Sequence, residues 1–459
     1  MSVVLRDVEV RGRRTDVRVR DGRVAAIGAL EPQPGEETVD GSGGALLPGL
    51  VDQHLHLLAM AAAARSTPCG PPAVRDRSAL VAALAAAPAD AHGWVRGVGY
   101  HETVAGPLDT AALDGLHADR PVRVQHGSGA LWIVNGRAAR LLGLAGATHR
   151  GIERDAHGEP TGRLWRADDW LRTRLPHPEP PDLGTVGATL SRFGITAVTD
   201  ATPGLDPGAL AAISGAIDQH TTALGVPLGH PVPPGVTAGP FKIVLADSGL
   251  PELDALIADI RAAHAVGRGV AVHCVTREAL VLLVAALEEA GSHGADRIEH
   301  AALVPEELID TLARRGLRVV TQPGFLADRG DRYLREVPAE DHGDLYRCRS
   351  LLIAGVPLAL SSDAPYGPLD PWSVIAAAVH RRVPGDTVTG PAERLTPTEA
   401  LAAYLAPADD PGGPPRRVHV GAPADLVLLA APLPEVLKAP DSAAVRATLI
   451  NGRRVHDNG

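Results

Sequence analysis

The chain has 459 residues, of which 45% are hydrophobic and 21% charged, and this size suits a large globular domain with one or two smaller units. Its formal charge of -10 and the lack of a basic run argue against nucleic acid or an anionic membrane surface as a partner. No stretch approaches the ~18 apolar residues of a membrane span, and three scattered cysteines suggest no disulfide framework. A cytoplasmic protein is expected.

Short strands of alternating hydrophobicity, separated by tight turns, are predicted at both ends of the chain. They cover residues 3–10, 17–20, 23–27, 425–429, 445–450 and 453–455. The pattern predicts one composite β-sandwich built from residues 1–48 and 419–459. Two independent β-caps are the alternative.

The region between these ends begins with a segment of looser pattern. Residues 70–182 contain a predicted helix at 78–87 and short strand candidates, and they are interpreted as an inserted α+β subdomain. Residues 176–181, with four prolines, predict a stiff linker that closes it.

From residue 183 strands and helices alternate, as a (β/α)8 barrel requires. With the strand at 50–56 counted first, the predicted strands are residues 50–56, 194–200, 226–229, 241–246, 269–273, 297–300, 318–321 and 357–363. The predicted helices are residues 209–220, 251–266, 277–290 and 305–316. The sequence therefore predicts an α/β fold with a TIM-type barrel made of residues 49–69 and 183–418.

Potential metal ligands occur at the ends of several predicted strands. In LLPGLVDQHLHL, His54 and His56 are two residues apart on an apolar strand, so their imidazoles face the same side. His273, His300 and Asp363 end three further strands, and the carboxyl ends of barrel strands meet at one mouth. Five such groups predict a metal site, although each one alone also fits an ordinary structural role.

Lysine is rare in this chain, with only Lys242 and Lys438 among 44 basic residues. The abundance of Ala, Gly and Pro indicates a coding bias that replaces tolerant lysines by arginine. Lys242, inside the fourth predicted strand, therefore points to chemistry that only an amine performs. An ordinary lysine packed against the barrel wall is the alternative.

Several motifs together resemble the amidohydrolase superfamily over essentially the whole chain. They are PGLVDQHLHL, GITAVTDA, RIEHA, SSDAPYGPLDPW and GAPADLVLL. Within the insert, WVRGVGY, HGSGALWIVNGRAARLLGL and GEPTGRLW are similar to YtcJ-like members of the amidohydrolase-3 group.

The resemblance implies zinc or another divalent ion at the mouth of the barrel. The implied protein ligands are His54, His56, His273, His300 and Asp363. Asp363 is also the implied proton shuttle. Lys242 matches a lysine that many members carboxylate to bridge two metal ions, so a carbamate implies a binuclear site and an unmodified lysine a mononuclear one.

The chemistry follows from these parts. A divalent cation lowers the pKa of bound water to near ~7. Asp363 can take a proton from that water and pass it to the leaving nitrogen, while the cation and a neighbouring imidazole, His300, polarise the oxygen of the tetrahedral intermediate. The predicted reaction is hydrolysis of a C–N bond in a small N-acyl or N-formyl compound.

Two other functions stay open. One is a deaminase or cyclic-amide hydrolase on the same site, and the other is a non-catalytic barrel that binds a ligand. A homodimer is one expected assembly, since dimers are usual among similar enzymes.

Departures from the family pattern concern the substrate. After His273 similar enzymes read Ala-x-Gly-Asp, whereas this chain reads CVTR and places Arg277 at the acidic position. The usual histidine of the insert is Ala130, and His126 is the nearby candidate to replace it, with a surface histidine as the alternative. The predicted substrate contacts are His126, Arg277, Tyr366 and Trp372.

Overall fold

The computed structural model describes residues 2–176, 182–246 and 249–458. Apart from Pro176, the predicted proline-rich linker lies outside the described residues. The chain forms two compact units, the first made of Met1–Leu58 with Asp182–Gly459 and the second of Ala59–Pro181.

Both termini of the first unit form short strands, as alternation in the sequence predicts. One sheet has the order β3-β2-β1-β4, with β1 (Ser2–Val10), β2 (Arg13–Arg20), β3 (Arg23–Gly28) and β4 (Glu37–Asp40). The other has the order β23-β22-β21-β5, with β5 (Leu46–Pro48), β21 (Leu426–Leu429), β22 (Val445–Ile450) and β23 (Arg453–Asp457). In these two sheets all neighbouring strands are antiparallel except β1 and β4, which are parallel. The two sheets share one apolar core, to which Leu5, Val17, Leu426 and Leu449 belong.

Two parallel sheets make up the centre of the first unit. The four-stranded sheet has the order β15-β14-β13-β6, with β6 (Leu50–Leu55), β13 (Ile195–Asp200), β14 (His220–Ala223) and β15 (Val236–Ala238). The five-stranded sheet follows chain order, with β16 (Phe241–Val244), β17 (Val270–Cys274), β18 (Arg297–His300), β19 (Arg318–Thr321) and β20 (Leu358–Leu360). These strands are rich in buried apolar residues, as parallel strands covered on both faces are.

Helices connect most of these strands. They are α1 (Leu57–Ala64), α7 (Leu183–Arg192), α8 (Pro207–Ile213), α9 (Leu253–Ala265), α10 (Arg277–Ala290), α11 (Glu306–Arg314), α12 (Gly324–Glu336), α13 (Cys348–Ile353), α14 (Pro371–His380), α15 (Pro397–Leu405) and α16 (Leu433–Val436). Short 3-10 helices lie at Leu144–Gly146, Ala339–Asp344, Pro391–Glu393 and Ser442–Ala444.

Backbone hydrogen bonds join the two parallel sheets at two places. The Lys242 N–H donates to the carbonyl of Leu224, just beyond β14, at 3.1 Å. Between β6 and the segment after β20, the Asp363 N–H donates to the His54 carbonyl at 2.8 Å, and the His56 N–H donates to the Ala364 carbonyl at 2.9 Å. The carboxyl ends of β6 and β20 are therefore held side by side.

The region between β13 and β16 differs from the sequence prediction. The helix predicted at 209–220 ends at Ile213, and the strand predicted at 226–229 is absent, because β14 occupies His220–Ala223 instead. Gly215 with φ 64° interrupts the helical pattern, and the β-branched pair in His-Thr-Thr-Ala favours an extended strand. In the segment predicted as a strand, Pro227 has no N–H to donate to a neighbour.

The second unit has a six-stranded sheet of order β11-β12-β10-β9-β8-β7. Its strands are β7 (Thr67–Pro68), β8 (Val95–Tyr100), β9 (Val122–His126), β10 (Leu131–Val134), β11 (Ile152–Arg154) and β12 (Pro160–Trp165). Its helices are α2 (Arg77–Ala86), α3 (Glu102–Ala105), α4 (Thr110–Asp114), α5 (Gly136–Leu142) and α6 (Asp168–Arg174). The helix predicted at 78–87 is present as α2, and Asp76 caps it by accepting from the Ala79 N–H.

The three cysteines are free thiols inside the protein: Cys69, Cys274 and Cys348 are all buried. No helix in the described part of the chain combines the length and the apolar composition needed to cross a bilayer.

Candidate metal centre

Strand β6 presents alternate side chains to two different environments. Asp52 and His54 share one face of the strand, and His56 follows directly after it. On the other face the Gln53 side chain donates to the Pro407 carbonyl at 2.9 Å. The alternation that predicts a shared face for His54 and His56 is therefore present in the structure.

The predicted imidazole and carboxylate groups come together at the ends of the parallel strands. His54, His300 and Asp363 each offer a ligand atom, and these atoms lie within 4.8 Å of one another. The Nε2 atoms of His54 and His56 lie 3.4 and 3.1 Å from Asp363 Oδ1. The ring of His273 meets that of His300 edge to face, with 4.4 Å between centroids. All five groups thus occupy one cluster.

Two members of the cluster depend on an unusual backbone conformation. His300 has φ 73° and Asp363 has φ 55°, in the left-handed region that non-glycine residues rarely adopt. In a regular strand Glu299 and His300 would point to opposite faces. Because the backbone turns at His300, both side chains contact His54: Glu299 through a hydrogen bond and His300 through its ring, with 4.8 Å between centroids.

A second set of polar side chains orients the imidazoles. The Nδ1–H of His54 donates to the Glu299 carboxylate, which also accepts from the buried Arg297 guanidinium. The Nδ1–H of His300 donates to Gln322 Oε1 at 2.9 Å. Since each Nδ1 carries the proton, the Nε2 lone pairs of His54 and His300 are free to bind a cation.

Glu299, Arg297 and Gln322 are not among the residues that sequence reasoning selects. The motif RIEH does contain a signal, since a charged pair at Arg297 and Glu299 alternates with Ile298 inside a buried strand. Buried charges need partners, so such a pair predicts a polar interior around the candidate metal ligands.

Burial keeps the imidazoles of His54, His273 and His300 neutral. Burial, together with the nearby Lys242 ammonium, lowers the pKa of His54 to about 3. Burial also lowers the pKa of His300, and it lowers that of His273 well below the usual range. For Asp363 burial raises the pKa, but the hydrogen bond with His56 is the largest of the effects that lower it, and the pKa lies below its usual value. Neutral imidazoles and an ionised carboxylate are the forms that bind metal.

Lys242 lies on the same face of the five-stranded sheet as His273. The parallel register pairs Lys242 with Ala271, and His273 lies two residues further along β17. The side chain is buried, which lowers the pKa of its ammonium, while the charges of Glu299 and Asp363 act in the opposite direction. A buried amine with a lowered pKa is neutral more often than a surface lysine.

Asp52 connects the two segments that carry His54 and Asp363. Its Oδ1 accepts from the backbone N–H groups of His54 and Ser362, at 3.1 and 3.2 Å. Burial raises the pKa of this carboxyl to about 7. Asp52 therefore acts on the cluster through the backbone.

The four predicted substrate contacts lie in different surroundings. The Tyr366 ring meets the His56 ring edge to face at 5.4 Å between centroids, which places it beside the cluster. The Arg277 guanidinium pairs with Asp341 and Asp344, at 2.5 and 2.6 Å. Trp372 is fully buried and its Nε1–H donates to the Phe193 carbonyl, so its side chain packs inside the fold.

His126 lies in the other compact unit, at the end of β9. Its Nε2 lies 3.0 Å from Glu102 Oε2, and this hydrogen bond lowers the pKa of Glu102 to about 2.

The donor set of the cluster fits a divalent transition metal. Nitrogen from neutral imidazole and oxygen from carboxylate are the donors that zinc accepts in catalytic sites, and three or four of them around one point leave a position for water or substrate. His54, His300 and Asp363 form the most compact part of this set, with His56 and His273 beside them.

Glu299→Gln tests whether the orientation of His54 matters for the metal. Loss of the charged acceptor weakens the fixed Nδ1–H tautomer, so we expect the affinity for Zn²⁺ to fall by about 10–100-fold. Arg297 also loses its buried counter-ion, so we expect the free energy of unfolding to fall by about 3–5 kcal/mol. Metal titration below the unfolding temperature of the variant separates the two effects, and Glu307→Gln, on exposed α11 surface, is the control. Unchanged affinity would show that Glu299 serves stability alone.

The fold and the cluster define a class: an α/β protein with parallel sheets and a His/Asp group suited to a divalent metal at the strand ends. Comparison with known proteins identifies the family within this class. The model of the amidohydrolase family matches residues 37–456, and the chain belongs to that family. It is accordingly an enzyme, a hydrolase acting on carbon–nitrogen bonds other than peptide bonds.

Individual relatives agree with this assignment. The N-substituted formamide deformylase of Arthrobacter pascens is 25% identical over 483 aligned residues, covering 90% of this chain and 89% of its own. The protein YtcJ of Bacillus subtilis (strain 168) is 26% identical over 437 residues, covering 81% of each chain. A crystal structure of an uncharacterized metal-dependent hydrolase from Pyrococcus horikoshii OT3 shares the fold, with a TM-score of 0.73, 19% identity, and coverage of 99% of this chain and 100% of the other.

Proposed function

We propose that this enzyme hydrolyses the amide bond of a small N-acyl or N-formyl compound with the help of a divalent metal ion. The observation that carries the proposal is the convergence of His54, His300 and Asp363, whose ligand atoms lie within 4.8 Å of one another. The length of the match to the N-substituted formamide deformylase supports the formyl group as the acyl part. The products are then formate and a free amine.

The proposed metal ligands are those that the resemblance implies: His54, His56, Lys242, His273, His300 and Asp363. A divalent cation there, with zinc proposed, supplies positive charge that lowers the pKa of water and polarises the scissile carbonyl. A carbamate on Lys242 would supply oxygen donors and a negative charge for a second ion.

The chain's own residues account for the proton transfers. Asp363 is ionised, so its carboxylate can accept a proton from the attacking water. The same carboxyl then donates that proton to the leaving nitrogen as the C–N bond breaks, which releases a neutral amine. His300 keeps its Nδ1–H on Gln322 at 2.9 Å, so its Nε2 lone pair would hold the cation, and that cation would stabilise the developing negative charge on the carbonyl oxygen. Tyr366, beside His56, is the proposed wall for the amine substituent.

We also propose that the two parallel sheets form one (β/α)8 barrel, with the β-rich ends as a composite sandwich and residues 70–182 as the insert. The backbone hydrogen bonds from Lys242 to Leu224 and from Asp363 to His54 support closure. In a barrel of this kind the carboxyl ends of the strands form the active-site face, which is where the cluster lies.

The substrate test is a panel of N-substituted formamides, N-acyl amines, lactams and aminopyrimidines. Formate, primary amine and ammonia are measured separately for each compound. We expect equimolar formate and amine from the formamides. Ammonia from an aminopyrimidine, or ring opening of a lactam without release of a second product, would assign the deaminase or cyclic-amide alternative. Binding without turnover of any compound by the metal-loaded protein would assign the non-catalytic barrel.

Metal removal gives a further prediction. Dialysis against a chelator such as dipicolinate should abolish hydrolysis, and stoichiometric Zn²⁺ should restore it, because neutral imidazoles bind zinc reversibly. Activity and bound metal, measured on the same samples, should rise together. Full activity in a metal-free sample would exclude the proposed mechanism.

A further inference from the structure

The inserted unit contains a second group of potential metal ligands, distinct from the cluster in the first unit. It consists of His101, Glu102 and His126, whose ligand atoms all lie within 4.8 Å of one another. His126 is buried, and His101 and Glu102 are half-buried at the surface of the unit. The group is therefore ordered by the fold yet open to a cation from solvent.

The sheet brings these residues together. Strands β8 and β9 are parallel neighbours, and Tyr100, the last residue of β8, pairs with His126, the last residue of β9. His101 follows Tyr100 directly and caps the short helix that begins at Glu102. The carboxyl ends of two adjacent parallel strands thus supply all three side chains.

The distances suit one small cation. The Nε2 atoms of His126 and His101 lie 3.0 and 3.8 Å from the same carboxylate oxygen, Oε2 of Glu102. Around tetrahedral zinc, with bonds of about 2.0–2.2 Å, two ligand atoms are about 3.3–3.5 Å apart. The observed separations lie on either side of that value, and the ligand atoms of the two imidazoles lie within 4.8 Å of each other, so the geometry is completed when the imidazoles move together.

The second ring nitrogen of each imidazole, Nδ1, also has a hydrogen-bond partner, as it does in metal-binding histidines. Nδ1 of His101 lies 2.9 Å from the Thr103 hydroxyl, and Nδ1 of His126 lies 2.8 Å from the Ser128 hydroxyl. A hydroxyl oxygen accepts from Nδ1–H, the tautomer that a metal at Nε2 requires.

The free protein favours the other tautomer. The backbone N–H groups of Thr103 and Ser128 also point to these Nδ1 atoms, at 3.2 and 3.1 Å. A metal must therefore displace the protons shared by the Nε2 atoms with Glu102 and move each remaining ring proton to Nδ1. This cost weakens binding without preventing it.

We propose that His101, Glu102 and His126 bind a divalent cation of the zinc type as a two-histidine, one-carboxylate site that joins the ends of β8 and β9. Oxygen-preferring ions such as Mg²⁺ or Ca²⁺ fit less well, because two of the three donors are imidazole nitrogens. The proposal assigns His126 a role other than the substrate contact predicted from the sequence, and it is independent of the proposed hydrolytic reaction.

The test counts Zn²⁺ bound by the full-length protein after chelation and equilibrium dialysis, with bound metal measured by elemental analysis. We expect the His101→Gln/His126→Gln double variant to bind one Zn²⁺ fewer than the parent chain. His157→Gln, an exposed histidine at a turn of the same unit, should bind as many as the parent. An unchanged number in the double variant overturns the proposal. The difference in bound Zn²⁺ between the parent chain and the double variant tests the site even if the first unit binds no metal.

A milder variant provides a second test that does not depend on correct folding of the double variant. Glu102→Gln keeps the shape of the side chain but removes its charge, and we expect it to weaken the additional Zn²⁺ site at least tenfold. Because a cation that binds only the folded state stabilises it, Zn²⁺ should also raise the Tm of the parent chain more than that of Glu102→Gln. Equal affinities and equal shifts of Tm would reject the site.

Discussion

Asp363→Asn is expected to lower kcat/KM by about 10²–10⁴-fold while the chain keeps its fold. An amide cannot accept the proton of the attacking water, yet it can still hydrogen bond with His56, which lies 3.1 Å from Oδ1. The backbone tolerates the change because Asp363 has φ 55°, a conformation that asparagine adopts more readily than most residues. Activity and bound metal are measured on the same preparation.

A matched control exists for this substitution. Asp386 also has positive φ, at 68°, but it is exposed and pairs with Arg382 on the surface. Asp386→Asn thus makes the same chemical change on the same kind of backbone, and we expect it to leave kcat/KM unchanged. If Asp363→Asn retains its metal and a rate within threefold of the parent, Asp363 does not transfer the proton.

The positions of the candidate metal ligands could largely be predicted from local pattern. The two-residue period of a strand places His54 and His56 on one side, and the rule that parallel strands end on one face brings in His273, His300 and Asp363. Both arguments use only residues close in sequence and the order of strands, and the structure agrees with them.

The surroundings of these ligands could not be predicted in the same way. Strand alternation lets either Glu299 or His300 face the cluster, and only the positive φ at His300 allows both. Arg277 illustrates the same limit at longer range. Its partners Asp341 and Asp344 lie 64 and 67 residues away, so the sequence around Arg277 does not reveal that its charge is already paired.

The fold was least predictable between β13 and β16. The apolar residues from Ala209 onward suit a helix, but Gly215 interrupts it and a strand forms at His220–Ala223 instead. Tertiary context decides such a segment: β14 pairs with β13 on one side and β15 on the other, which a local pattern does not show.

The second large effect is expected at Lys242. Its side chain lies on the face of β16 that His273 shares across the sheet, and burial lowers the pKa of its ammonium. A neutral amine here would attack CO2 to form a new N–C bond, and loss of a proton would leave an anionic carbamate with two oxygens for metal. A guanidinium does not react in this way at neutral pH. We therefore expect Lys242→Arg to lose bound metal and to lower kcat/KM by at least about 10²-fold.

The scarcity of lysine makes this prediction unusually direct to test. Lys438 is the only other lysine, and it is exposed and paired with Glu435 at 2.7 Å. In protein incubated with ¹³C-bicarbonate and metal we expect one carbamate signal by NMR, present in Lys438→Arg and lost in Lys242→Arg.

Lys242→Ala leaves space for an external carboxylate, so short carboxylic acids should restore part of its metal binding and activity. Full activity in Lys242→Arg would exclude the carbamate, because that variant keeps a positive charge at the position while lacking the reactive amine.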